Sequence, residues 1–202
     1  MNNIKEMTME EIKNALGYDF KLVTEHSKVQ LTEIEASNTF KIGDIEFIVL
    51  EHLEGEKTIC ITKGFIAEDT KFDENTNNFA KASVLNVLDD FESKIAAEIG
   101  TENMCDFEID LTTDDGLMDY GTITRKTGLL TDVQYRKYSE IIEQYPVNDW
   151  WWLANAVSTP RRGVSCAVRC VAPGGNLDNG DCCIFNGVRA VCIFKSNIFV
   201  SE

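Results

Sequence analysis

The 202-residue chain has no apolar run approaching the roughly 20 residues that a helix needs to cross a bilayer. Its opening, MNNIKEMTMEEIK, lacks the apolar segment of a secretory leader, so synthesis in a cytoplasm is expected. Histidine is scarce: only His26 and His52 occur, the first in a weakly patterned stretch and the second beside a hairpin turn. That leaves little for general acid–base work. No Gly-rich phosphate loop, His-Glu zinc motif or nucleophile elbow is present. Bases number 19 against 34 acids, and a formal net charge of −15 would repel phosphate backbones. These absences argue against membrane insertion, nucleic-acid binding and the common hydrolytic machineries.

The composition is globular, with 44% hydrophobic and 26% charged residues, and the length suits one domain or one domain with an appendage. Seven cysteines, an odd count without a leader, suggest reduced thiols. Acids cluster between Thr101 and Tyr120 (Glu102, Asp106, Glu108, Asp110, Asp114, Asp115 and Asp119) with no base among them. Two readings fit this run: a solvated loop, or a patch that docks onto a basic partner.

Thr8 and Glu11 form a capping box, with Gly17 as a stop, and predict a short opening helix. Residues 18–38 are weakly patterned and read as an arm. IEFIVLEHL and KTICITKGF predict strands joined by an EGE turn. Val84, Leu88, Phe91, Ile95 and Ile99 repeat at helical spacing after Asn77 and Asn78, and Gly100 ends the run. Thr131 and Gln134 form a second capping box. Leu130 and Tyr135 are placed as a hydrophobic staple, and Pro146 closes that helix. GVSCAVRCV alternates as a strand, PGGN and DNGD read as turns, and GVRAVCIF reads as a final buried strand. Strands, helices and strands again predict an α+β domain whose ends pair in one sheet.

Cys166, Cys170, Cys182, Cys183 and Cys192 crowd the last third of the chain. Zinc pairs converge on tight turns, whereas Cys166 and Cys170 would lie roughly 13 Å apart along a strand. Cys182 and Cys183 would face opposite ways, so the cysteines are read as small buried hydrophobes. TTDDGLMDYG and LDNGD do not follow the ligand order of a calcium loop. No metal or cofactor is expected. The three tryptophans are Trp150, Trp151 and Trp152. In an extended segment they alternate between faces, and each is able to bury about 150–250 Å². Trp150 and Trp151 are the expected core anchors, and Trp152 is the one assigned to a ligand.

KIGDIEFIVLEH (Lys41–His52), LLT with YRKY (Leu129–Tyr138), WWWL (Trp150–Leu153), GVR (Gly187–Arg189) and the tail CIFKSNIFVS form a distinctive combination. Together they resemble a domain family of unknown function encoded by gut bacteria and their phages, whose members carry WWWLATP-like and GVRP-like blocks. Ala154-Asn155-Ala156 and Ala190 depart from that pattern. The resemblance implies a C-type-lectin-like fold, akin to formylglycine-generating enzymes and the variable proteins of diversity-generating retroelements. It would comprise small antiparallel sheets, two main helices and a long irregular C-terminal segment over residues 39–202. A helix and attachment arm over residues 1–38 would precede it.

The function this implies is non-enzymatic. It is a display domain on a phage virion, attached to other virion proteins through the arm and binding a bacterial-surface glycan or protein. Self-association into a homo-oligomer is left open. Trp152 and Phe185 would stack on the ligand, and Arg161, Arg162 and Arg169 would pair with carboxylate or phosphate groups. Asn155, Ser158, Thr159, Ser165, Asn176, Asp178, Asn179, Asp181 and Asn186 complete the expected surface. Two rivals stand beside this reading. One is a structural decoration protein of a capsid or tail. The other is a formylglycine-generating-type enzyme holding copper on Cys166 with Cys182 or Cys192.

Overall fold

The computed structural model describes residues 28–201. The runs of branched and aromatic residues form strands, and the two strongest helical periodicities form helices. In chain order these are β1 (Lys28–Gln30), β2 (Thr39–Ile42), β3 (Ile45–Leu53), β4 (Lys57–Thr62), β5 (Ala67–Lys71) and α1 (Val84–Ile99). Next come β6 (Met104–Cys105), β7 (Phe107–Asp110), β8 (Thr122–Arg125), β9 (Thr127–Gly128) and α2 (Asp132–Ile142). The last six are β10 (Trp151–Ala156), β11 (Ala167–Val171), β12 (Leu177–Asp181), β13 (Phe185–Val188), β14 (Val191–Lys195) and β15 (Phe199–Ser201).

The larger sheet runs β1-β15-β2-β3-β4-β14-β6, with β9 also on β14, and the smaller runs β12-β11-β10-β13-β5. A third pair, β7-β8, stands apart. The architecture is α+β and mostly antiparallel, and the C-terminal strands pair with the N-terminal ones as expected. Phe40 and Phe47 stack at 5.4 Å in the core, and Phe194 meets the Phe47 ring edge-on at 5.4 Å.

Local signals translate directly into structure. At α2, Thr131 accepts the Gln134 N–H and the Gln134 side chain accepts the Thr131 N–H, so the capping box is complete. Leu130 and Tyr135 are both buried. Val84, Leu88, Phe91 and Ile95 of α1 face the core, and Gly100 ends the helix at φ 84°. The EGE turn joins β3 to β4 through positive φ at Gly55 and Glu56.

Four expectations change. Residues 28–38, assigned to the arm, belong to the fold: Lys28–Gln30 pairs with β15, and Leu31 and Ile34 are buried. The expected opening helix at residues 8–17 lies outside the described residues. Asn78 caps a short 3-10 turn at Phe79–Lys81 rather than α1, which starts behind Ser83. DNGD is strand, not turn, because the PGGN turn already reverses the chain and sets Asn179 opposite Arg169. Gly180 suits that strand because a Cβ there would lie 2.7 Å from Ile184 Cδ1. Finally, GVRAVCIF is not one strand. Its two halves join different sheets, and Arg189-Ala190 marks the crossing, where the Ala190 N–H donates to Thr62 Oγ1 at 3.0 Å.

Candidate functional site

Much of the expected contact surface is interior. Trp152 is fully buried, donates Nε1–H to the Thr70 carbonyl at 2.8 Å and meets Phe72 edge-on. Trp151 is buried as expected, whereas Trp150 is only half-buried, so the exposures expected of Trp150 and Trp152 are exchanged. Asn155 is buried because it ties three segments together. It donates to the Asp110 and Thr112 carbonyls and accepts the Asp132 N–H at the start of α2. Ser158 and Thr159 are buried too, their hydroxyls donating to Asp115 and Asp119 at 2.7 Å each.

The arginines are partly committed already. Arg162 pairs with Asp115 at 2.7 Å, Arg161 with Asp119 at 3.4 Å, and half-buried Arg169 stands 4.0 Å from Asp114. Three acids of the 101–120 run therefore face the chain's own 158–169 segment, where the sequence had suggested solvent or a separate partner. The Thr113 hydroxyl, followed by Ser158 and Arg162, holds the Asp115 carboxyl at about 2. Ser165, Asn176, Asp178 and Asp181 are exposed and separate from these pairs.

Three predicted residues do converge. Asn179, Phe185 and Asn186 border a hollow of about 310 Å³ together with Asp149, Trp150 and Ile184. Phe185 is 60% exposed, with Lys71 Nζ 5.3 Å from its ring centroid. Asn186 is buried, and its Nδ2 has no hydrogen-bond partner among the described residues. An unmet buried donor costs about 1–3 kcal/mol, so a bound acceptor there would recover free energy.

Histidine and cysteine chemistry is limited. Both ring nitrogens of His52 are hydrogen-bonded, to Thr58 Oγ1 and the Ile34 carbonyl, each at 2.8 Å. His26 lies outside the described residues. Cys182 is buried and Cys183 exposed, so the pair does face opposite ways. Cys182 follows the end of β12 and docks beside β11, where its N–H donates to the Cys166 carbonyl at 2.7 Å. Burial, reinforced by Cys166, pushes the Cys182 thiol up to about 12, which disfavours the thiolate a metal needs. Among the described residues, no three His, Cys, Asp or Glu side chains are grouped to hold a metal.

Sequence reasoning did not single out Arg189 as a site residue. Its side chain is 1% exposed, yet no carboxylate pairs with it among the described residues. Nε–H donates to the Thr62 carbonyl at 3.0 Å, the guanidinium carbon lies 5.2 Å from the Trp151 ring centroid, and Nη2 has no partner among the described residues. Burial lowers Arg189 to about 10, which still leaves it charged at neutral pH. It borders a second pocket, of about 250 Å³, with Tyr135, Glu143, Tyr145 and Trp151. The available signal was a lone base inside the apolar run GVRAVCIF. No family model, curated protein or solved structure matches this chain.

Proposed function

We propose that this chain is a non-enzymatic ligand-binding domain of the C-type-lectin-like kind, carried on a phage virion. It contacts a saccharide of the bacterial surface through the hollow between Trp150 and Phe185. The observation that carries this reading is the Asn186 Nδ2, without a partner among the described residues, beside exposed aromatic surface. Sugars present an apolar C–H face and a hydroxyl edge. The first stacks on aromatic rings, and the second pairs with amides and carboxylates, here Asn179, Asn186 and Asp149. The resemblance of the WWWL and GVR blocks to the phage and gut-bacterial family supplies the setting. The segment after β10 is latched to Asp115 and Asp119 through Ser158, Thr159 and Arg162.

The test compares the purified chain with a Phe185→Ala/Asn179→Ala double variant for binding to immobilised bacterial envelope polysaccharides. Saccharide binding that weakens at least about tenfold in the variant, at unchanged melting temperature, supports the reading. No binding by either protein, with the hollow covered by neighbouring subunits in an assembled particle, favours a decoration role instead.

A further inference from the structure

The pocket at Arg189 shares no lining residue with the Trp150–Phe185 hollow and stands independently of the saccharide reading. We propose that it is a second binding site, specific for a small monocarboxylate with an apolar ring or chain. Arg189 occupies the crossing between two sheets, where an uncharged side chain of similar size would avoid all desolvation. A charge kept there without a partner among the described residues points to one supplied by a ligand. Trp151 covers the face of the guanidinium and the Thr62 carbonyl takes Nε, leaving Nη2 unmatched. A carboxylate answers this with paired acceptors in the guanidinium plane.

The walls set the rest of the ligand. Tyr135, Ile142, Tyr145, Val147, Trp151 and Val171 line the pocket, so the body of the ligand is apolar. A volume of about 250 Å³ lies below the roughly 300–1,000 Å³ of pockets for drug-sized molecules, so the ligand is small. Glu143 also borders the pocket, close enough that a Cβ on Gly175 would meet its Oε1 at 2.9 Å. Its carboxylate repels a dianion such as a phosphomonoester more than a monoanion and can accept from a hydroxyl or amine on the ligand.

The test is a titration of the ¹⁵N-labelled full chain with benzoate and 4-hydroxybenzoate. Benzamide, benzyl alcohol and phenyl phosphate serve as controls, with the three indole N–H resonances followed. The expected result is a saturable shift of the Trp151 resonance with the two carboxylates, weaker or absent with the controls, while Trp150 stays in place. Arg189→Gln and Val147→Trp, the second crowding the pocket from a half-buried lining position, should each weaken affinity at least about tenfold. If Arg189→Gln does not fold, Val147→Trp at unchanged melting temperature decides alone. The proposal is overturned if neither carboxylate gives a saturable shift, if benzamide binds equally well, or if folded Val147→Trp binds like the parent.

Discussion

Arg162 Nη1 donates to Asp115 Oδ2 at 2.7 Å, and the same oxygen accepts the Ser158 hydroxyl at 2.7 Å. Residues 43 and 47 positions apart in sequence are thus joined at one carboxylate. This contact turns an arginine that looked ligand-facing into one end of an internal latch.

The latch makes stability depend on acid. Asp115 falls from its ordinary 3.8 to about 2, chiefly through Thr113, then Ser158 and Arg162. A depressed folded-state value stabilises above the unfolded value and loses that contribution as pH drops through the folded one. The window therefore runs from about pH 4 down to about pH 2. Melting curves across it should show a shallower decline for Asp115→Asn than for the parent. Parallel declines would mean that the latch does not couple to folding.

Trp152→Ala should cost about 3–5 kcal/mol in denaturant unfolding, the usual range for removing a fully buried ring. Trp150→Ala, at a half-buried position, should cost no more than about half as much. The reverse order would contradict the placement of the indoles.

Asn155→Ala strips partners from the Asp132 N–H and from the Asp110 and Thr112 carbonyls. It should destabilise by about 2–4 kcal/mol. Asn176→Ala, on the exposed turn, should stay within about 0.5 kcal/mol. Similar values for both would deny Asn155 its tying role.

Thiol labelling should separate the cysteines. Cys60 and Cys192 face each other across β4 and β14, fully buried, and burial pushes both thiols well up. Cys182 is likewise raised, to about 12. Native protein should modify Cys183 first and leave Cys60, Cys182 and Cys192 intact until unfolding, as read by mass spectrometry after timed alkylation. Raised thiol values hold full stability below the unfolded value near pH 9 and lose it as pH climbs toward 12. Alkaline melting temperatures should fall over that interval.

Much of the framework was legible in the chain because its signals are short-range. The Thr131–Gln134 box spans four residues, the α1 stripe repeats within single turns, and the EGE reversal is self-contained. Of the residues the sequence singled out for the candidate site, Phe185, Asn179 and Asn186 share one hollow. Trp152 was misassigned because alternation says that adjacent indoles face opposite ways without saying which face another sheet or helix will cover.

The remaining decisions needed contacts between distant segments. Propensity, periodicity and capping act over a few residues, so the order of strands and helices was written locally, whereas the pairing of the two ends was not. Burial and charge neutralisation are properties of neighbours brought together from far along the chain. Only folding could set Asp115 and Asp119 against the 158–162 segment and enclose Trp152. Folding also left the Arg189 charge inside the protein without a counterion among the described residues.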